Sequence, residues 1–356
     1  MQSSTSLVNH KMSATTNKLA QEGRPASAIF AGFVKRVLIL GNGRLAARIV
    51  QLFKAKRTSR VLVVGYVDHN QSMAPPCLGV DMFLGVTSQL FELVERHQVN
   101  TIVVCLENRR TALPVETLLD LKAMGSEVVD GHSLYEEEAG CLHIDSLRPS
   151  ALVFSTGFKK RALTSSGKRL FDLVASAIGL VAGMPLFVLI AILIKLDSPG
   201  PVFYQQMRVG LRGQPYLIWK FRSMRNDAEK SGPRWAQPDD PRVSRIGWWL
   251  RKTRLDELPQ LINVLKGEMS LVGPRPERPV FVQELRTQIP YYDLRHAVRP
   301  GITGWAQIRF RYGASAEDAH SKLQYDLYYV KNLSIALDAR ILIETIRVVL
   351  LGEGAR

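Results

Sequence analysis

The chain has few cysteines and far fewer acidic than basic residues. Its three cysteines, Cys77, Cys105 and Cys141, are scattered without metal-ligand spacing. They therefore indicate ordinary packing in a reducing compartment rather than a cysteine metal site. The 32 acidic residues are outnumbered by 47 basic ones, which leaves a net charge of +15. A basic excess suits nucleic acid, anionic lipid or phosphorylated substrates equally well.

In the first 34 residues we expect no secretion signal. They are rich in Ser, Thr, Asn, Gln and Ala, and no apolar core follows a basic start. We expect a disordered leader rather than a signal peptide. The whole chain of 356 residues is 46% hydrophobic, which is enough for two domains of ordinary size.

Residues 35–150 alternate strand-like and helix-like segments. Three short runs are rich in Val, Ile and Leu, and helix-like segments lie between them. These runs are Lys35–Gly41, 60–68 and 100–105. This alternation predicts an α/β fold with a Rossmann-like parallel sheet. We expect this domain to be followed by a connector at residues 151–168.

A glycine fingerprint follows the first predicted strand. Gly41-Asn-Gly43-Arg-Leu-Ala46 matches the G-x-G-x-x-G/A pattern, and Asp68 ends the next strand. Gly41, Gly43 and Asp68 are therefore candidates for binding a nucleotide cofactor. The alternative is a glycine turn that merely permits close strand–helix packing. No tyrosine–lysine pair follows at a spacing typical of dehydrogenases.

The single long apolar run, Leu173–Ile194, contains no charged residue. Its length suits a membrane helix, but Pro185 near its middle removes a hydrogen bond and predicts a bend. Lys and Arg residues flank both ends, which is typical of cytoplasmic flanks. We therefore predict a re-entrant membrane helix over residues 169–196. A spanning helix with a tolerated kink and a buried core helix are the alternatives.

Two adjacent carboxylates, Asp256 and Glu257, follow Arg251 and Arg254 closely. An acidic pair among arginines suits chemistry on a phosphate, because one carboxylate can attack or hold a metal while the cations neutralise the anion. The paired tryptophans just before them, in 246–252, suit either a headgroup layer or a protein core.

Seven motifs in the C-terminal half occur in an order that resembles a known family. They are Lys168-Arg-Leu-Phe-Asp172, Ser198-Pro-Gly-Pro-Val202, Gln206-Met-Arg-Val-Gly210, Lys220-Phe-Arg-Ser-Met224, Asp256-Glu-Leu-Pro-Gln260, Val272-Gly-Pro-Arg-Pro276 and Arg299-Pro-Gly-Ile-Thr-Gly-Trp-Ala-Gln307. Together they resemble the bacterial sugar transferases, monotopic polyprenyl-phosphate phosphoglycosyl transferases of capsule and exopolysaccharide synthesis. The N-terminal part is similar to a cytoplasmic domain of the larger members, without their transmembrane bundle.

The resemblance implies a reaction and a place for it. A nucleoside-diphosphate sugar, usually a UDP-sugar, gives sugar-1-phosphate to polyprenyl (undecaprenyl) phosphate and releases UMP. In the family the aspartate of the pair is the nucleophile and the glutamate supports Mg²⁺, which here implies Asp256 and Glu257. The implied location is the cytoplasmic face of the bacterial inner membrane, with a mostly helical α+β catalytic domain at residues 197–356.

The resemblance also suggests substrate-binding residues. The cationic candidates are Lys220, Arg222, Arg251, Arg254 and Arg275. Asp326 and Asp338 match acidic positions of the family pattern, and they either help to hold the metal or bind basic residues in the core. Any one of the cations can instead be a surface charge near lipid headgroups.

The implied partners are a UDP-sugar, polyprenyl phosphate, inner-membrane lipids and later glycosyltransferases, together with a homo-oligomer, whereas no nucleic acid is expected. Two other functions fit parts of the sequence. One is an NAD-dependent nucleotide-sugar epimerase or oxidoreductase, which leaves the basic C-terminal half unexplained. The other is a catalytically silent membrane scaffold, against which the intact acidic pair argues.

Overall fold

The computed structural model of the chain describes residues 34–55, 61–69, 77–106, 112–147, 149–155, 157–158, 162–225, 228, 240–310 and 315–351. The expected leader over residues 1–34 lies outside the described residues except for Val34. The chain divides into two compact units, Met1–Ala139 and Gly140–Arg356. The segment after Ala139, which we had placed in the first domain, packs with the second unit through Leu142 and Ile144.

The first unit contains one five-stranded parallel sheet with the strand order β3-β2-β1-β4-β5. This confirms the predicted parallel sheet, and the order is that of the Rossmann fold. The strands are β1 Lys35–Leu40, β2 Val61–Asp68, β3 Phe83–Val86, β4 Thr101–Val104 and β5 Glu127–Asp130, and the helices are α1 Arg44–Ala55, α2 Leu90–Arg96, α3 Val115–Ala123 and α4 Gly131–Ala139.

Helices and loops cover both faces of this sheet, because alternate residues of β1 enter two separate cores. Leu38 and Leu40 pack into one buried cluster, and Val37 and Ile39 pack into the other. A strand buried on both faces is expected to be apolar throughout. The continuous apolar run of β1 could therefore be predicted from the sequence. The strand β3, which has only four residues, was not predicted.

The second unit combines helices with two small sheets. Its helices are α5 Pro149–Phe154, α6 Ala162–Asp197, α7 Arg245–Lys252, α8 Gln260–Lys266, α9 Pro279–Gln288, α10 Trp305–Arg309, α11 Ala316–Lys331 and α12 Ile335–Leu351. The strands β6 Phe203–Val209 and β7 Pro215–Phe221 pair antiparallel, and β8 Ser270–Val272 pairs in parallel with β9 Gly301–Thr303.

Helix α6 carries the long apolar run and is longer at both ends than the predicted segment. It continues through Pro185, and the stretch Thr164–Asp197 is long and apolar enough to cross a membrane. Only 11% of its most apolar window is buried inside the protein. Large apolar side chains such as Val181 and Ile178 are therefore left exposed.

Both halves of α6 contact the second unit. Near its N-terminal end, Arg169 donates to two carbonyls at the end of α8, and the Asp172 carboxylate accepts from the backbone N–H of Leu271 at 3.1 Å. Near its C-terminal end, Ile190 and Ile194 are buried in a cluster with residues of β7 and α7. One compact unit thus flanks α6 on both sides of Pro185.

Candidate active site

Asp256 and Glu257 lie on a single 3-10 turn, Leu255–Glu257, between α7 and α8. Arg254 begins the turn in a left-handed conformation, with φ of 57°, which is uncommon outside glycine, Asn and Asp. Leu255 packs against the apolar cluster at the C-terminal end of α6. The turn therefore holds two carboxylates in a largely buried position, with Asp256 8% exposed and Glu257 7%.

The two carboxylates differ in their partners. Glu257 Oε1 accepts from Lys220 Nζ at 2.9 Å and from Arg275 Nη2 at 2.6 Å. The carboxylate of Asp256 has no hydrogen-bond or ion-pair partner among the residues that the structure describes. Glu257 is thus fixed by two cations, while the Asp256 oxygens remain available to a ligand.

Their pKa values are pushed apart. Burial raises the pKa of Asp256 to about 6, with Glu257 adding to the rise and Lys220, Arg251 and Arg275 opposing it. Burial also acts to raise the pKa of Glu257, but Arg275 and Lys220 outweigh it and hold that pKa well below its usual range. Asp256 is therefore the more basic of the two carboxylates.

A small cavity of about 10 Å³ lies beside Glu257, which is room for about one water-sized atom. Lys220 and Arg275, two of the predicted site residues, line it. Arg208 and Gln260 also line it, and we had assigned neither of them a role. The sequence signal was there, since each belongs to one of the motifs, Gln206–Gly210 and Asp256–Gln260, that carried the resemblance.

The buried ion pair of Arg295 and Asp326 contacts the loop that carries Arg275. Arg295 Nη2 donates to the Arg275 carbonyl at 2.9 Å and lies 2.8 Å from Asp326 Oδ2. Burial raises the pKa of Asp326 to about 6, with Arg295 opposing. Asp326 thus binds a basic core residue, which was one of the two roles predicted for it. No sequence motif pointed to Arg295.

Arg222 and Arg254 are not brought to Glu257 by the contacts that the structure gives them. The Arg222 guanidinium donates to the Ser198 and Pro199 carbonyls just after α6, at 2.6 and 3.0 Å, and to the Ile194 carbonyl in its last turn at 3.3 Å, so it caps the C-terminal end of α6. A buried arginine fits there because helix ends leave carbonyls without partners. Arg254 shapes the turn through its backbone, since its carbonyl accepts from the Glu257 N–H at 3.2 Å.

Asp338 lies at the other end of α6. Its carboxylate accepts from Lys168 Nζ and from the Tyr329 hydroxyl, each at 2.7 Å. Lys168 also donates to the Val272 carbonyl at 3.0 Å. Asp338 therefore ties the start of α6 to the core, again the structural one of its two predicted roles.

The expected magnesium site is compatible with the donor set. Among the described residues, no group of three or more His, Cys, Asp or Glu side chains is suited to hold a metal ion. Mg²⁺ is usually bound through one or two carboxylates together with substrate phosphates, so three protein ligands are not required. The adjacent Asp256 and Glu257 carboxylates fit that pattern.

In the first unit, the glycine fingerprint has a packing explanation. Gly41 has φ of +109°, and a Cβ there would lie 3.0 Å from the Cys105 backbone. The next residue, Asn42, accepts from the Leu78 N–H at 3.0 Å. Gly43 accepts from the Ala47 N–H as α1 begins, and Asp68 accepts from the next backbone N–H. The nucleotide site at Gly41, Gly43 and Asp68 stays a prediction.

Comparison with known proteins bears on the second unit most strongly. The family model described as bacterial sugar transferase matches residues 163–352. The chain is 50% identical over 189 residues, 53% of its length, to a UDP-N-acetylgalactosamine-undecaprenyl-phosphate N-acetylgalactosaminephosphotransferase of Aeromonas hydrophila. It is 34% identical over 323 residues, 88% of its length, to an undecaprenyl-phosphate glucose phosphotransferase of Komagataeibacter xylinus.

A third relative is the exopolysaccharide production protein PSS of Rhizobium leguminosarum bv. phaseoli, 45% identical over 188 residues, which are 50% of this chain and 92% of that protein. The chain spans 45% of the Aeromonas protein and 58% of the Komagataeibacter protein, about half of each. The matched region contains the acidic pair, its two cations and α6. The chain belongs to the bacterial sugar transferase family.

Proposed function

We propose that the protein transfers sugar-1-phosphate from a UDP-sugar to undecaprenyl phosphate, releasing UMP, and so begins the assembly of an exopolysaccharide or capsule glycan. The observation that carries the proposal is the contrast within the acidic pair. Asp256 is buried, ionisable and without a hydrogen-bond or ion-pair partner among the described residues, while Glu257 is fixed by Lys220 and Arg275. Relatives named as undecaprenyl-phosphate sugar phosphotransferases support the choice of substrates.

The proposed chemistry has two displacements at one phosphorus. An Asp256 oxygen attacks the sugar-bearing β-phosphorus, the bond to the bridging oxygen breaks, and UMP leaves with that electron pair. An oxygen of the lipid phosphate then attacks the same phosphorus and displaces the Asp256 carboxylate. Splitting the transfer in this way lets one small site serve a soluble donor and a lipid acceptor in turn.

The neighbouring cations make the first attack feasible. An anionic carboxylate approaches a diphosphate only if the negative charge is neutralised. Lys220 and Arg275 are already gathered at Glu257, and Arg251 lies close enough to lower the pKa of Asp256. Asp256 and Glu257 would hold Mg²⁺ if it binds, and it would supply further charge neutralisation.

Helix α6 supplies the proposed membrane attachment. Its exposed apolar surface suits lipid, and the second unit flanks it both before and after Pro185. A helix spanning the bilayer would carry polar parts of that unit into the hydrocarbon layer, which is costly. We therefore place the protein on the cytoplasmic face of the inner membrane, with α6 entering and leaving on the same side.

A panel of UDP-sugars tests the activity. Purified protein with undecaprenyl phosphate and Mg²⁺ should release UMP from at least one of them and form a lipid-linked sugar diphosphate. The Asp256→Asn variant is the matched control, because it keeps the shape of the side chain. A wild-type protein that releases no UMP from any member of the panel would contradict the proposal.

A further inference from the structure

Gln260, the first residue of α8, is a second polar group at this site whose side chain has no hydrogen-bond partner in the part of the chain that the structure describes. It is 2% exposed, and its side chain lines the cavity beside Glu257. No hydrogen bond joins its side-chain amide to any of the residues that the structure describes. Neither amide atom is among the fully buried unpaired side-chain atoms of the described residues, so the amide opens onto the cavity and can reach a ligand there.

Asn263, one turn further along α8, shows the usual arrangement. It is fully buried, accepts from the Trp219 N–H at 3.0 Å, and donates to the Leu217 carbonyl and to Glu268, each at 2.7 Å. The same helix therefore satisfies one buried amide completely and leaves the other facing a cavity. That contrast indicates a ligand for Gln260.

The surroundings of the cavity favour an anionic ligand. Lys220, Arg275 and Arg208 bring three cations to its wall against the carboxylate of Glu257. Arg208 Nε is also buried without a hydrogen-bond partner among the described residues. Groups that can only donate call for a ligand rich in acceptor oxygens. The free volume of about 10 Å³ admits one oxygen-sized atom of such a ligand.

We propose that the Gln260 amide donates from Nε2 to a non-bridging phosphate oxygen of the substrate, making Gln260 a further substrate-contacting residue of this enzyme. The inference rests on the proposed phosphosugar transfer. Both the nucleoside diphosphate and the lipid phosphate carry oxygens of this kind. Gln260 follows Asp256 closely in the chain and lines the cavity beside Glu257, Lys220 and Arg275.

Substitution of Gln260 separates a ligand-binding role from a structural one. Gln260→Leu removes an amide that makes no hydrogen bond to the described residues, so the melting temperature of the ligand-free full chain should be kept or raised. Binding of UDP with Mg²⁺, measured by calorimetry, should weaken about tenfold or more, as expected for a hydrogen bond to a charged acceptor. The matched control Asn263→Leu should lower the melting temperature clearly, because it breaks bonds that exist.

The Gln260→Glu variant decides between a phosphate contact and a metal contact. A carboxylate repels phosphate, so UDP binding should weaken further than in Gln260→Leu. If the amide oxygen instead held Mg²⁺, the carboxylate would keep or tighten Mg²⁺-dependent binding, and that result overturns the proposal. The exposed Gln283→Leu variant on α9 should behave like the wild type.

Binding of a short-chain polyprenyl phosphate, measured in the same way, distinguishes the source of the oxygen. Weakened UDP binding assigns the contact to the donor, and weakened lipid binding alone assigns it to the acceptor. Wild-type affinity for both ligands in Gln260→Leu overturns the inference. Failure of the proposed function looks different, since wild-type protein would then bind UDP without releasing UMP from any UDP-sugar.

Discussion

Asp256 and Glu257 are neighbours in the chain and opposites in their pairing. The Glu257 carboxylate accepts from Lys220 and Arg275, whereas Asp256 has no partner among the described side chains. Glu257 thus gathers the cations, and Asp256 is left buried, ionisable and open to a ligand. The predictions that follow test this division of labour.

The first prediction concerns Glu257. Glu257→Gln removes the charge that holds Lys220 and Arg275, so UMP release should fall by about a hundredfold or more. The fold should survive, because both cations are partly exposed and can be solvated. The exposed Glu284→Gln on α9 is the matched control and should keep full activity. Wild-type turnover in Glu257→Gln would remove this residue from the site.

The second prediction concerns the metal. EDTA should stop UMP release and added Mg²⁺ should restore it, because the diphosphate needs neutralising before an anion attacks. The rate of UMP release with Ca²⁺ is a useful comparison, because Ca²⁺ favours more and longer oxygen contacts than Mg²⁺. An unchanged rate in EDTA would show that the protein cations suffice alone.

The third prediction concerns pH. The carboxyl of Asp256 must be ionised to attack, and burial raises its pKa to about 6. The kcat/KM for the UDP-sugar should therefore rise with pH up to about 6 and level off above it. Lys220 lowers that pKa, so Lys220→Gln should shift the rising limb to higher pH. A limb that stays at the same pH in Lys220→Gln would assign the titration to another group.

The sequence predicted more of the fold than of the polar contacts. Alternating apolar runs indicated the parallel sheet because strands buried on both faces are apolar throughout. The motifs indicated Lys220 and Arg275, which do meet at Glu257. They did not indicate which acidic group each cation would meet. Arg222 and Asp338 lie instead at the two ends of α6.

Two residues that matter in the structure had no role assigned from sequence. Arg295 belongs to none of the sequence motifs. Its contact with the Arg275 carbonyl depends on how the 3-10 helix Tyr292–Ala297 packs against the loop that carries Arg275. Gln260 belongs to the motif Asp256–Gln260, but only the folded structure shows that its side chain faces a cavity and has no hydrogen-bond partner among the described residues. Long-range pairing of this kind is a tertiary property that local pattern does not encode.

The fourth prediction concerns Arg295. Arg295→Lys keeps a positive charge for Asp326, but a single ammonium lacks the planar fork that also reaches the Arg275 carbonyl. The loop should loosen, and kcat/KM should fall by about tenfold or more while the melting temperature changes little. Arg286→Lys, in an exposed ion pair, is the control and should be silent. A wild-type kcat/KM in Arg295→Lys would show that Arg295 does not position the loop that carries Arg275.

The fifth prediction concerns the membrane. Because the second unit contacts α6 on both sides of Pro185, tags at the two chain ends should lie on the same, cytoplasmic side. Pro185→Leu restores a helix hydrogen bond and should push some molecules toward a spanning, inactive arrangement. Protease access to the C-terminal half from the periplasmic side of wild-type cells would favour an ordinary transmembrane helix.

The most direct test of the account is the detection of a covalent intermediate on Asp256. Wild-type protein, incubated with its UDP-sugar and Mg²⁺ in the absence of lipid phosphate, should gain the mass of one phosphosugar by intact mass spectrometry, and peptide mapping should locate it at Asp256. The Asp256→Asn variant should gain nothing and should not turn over, because an amide is a poor nucleophile. An adduct on another residue, or full turnover in Asp256→Asn, would contradict the central claim.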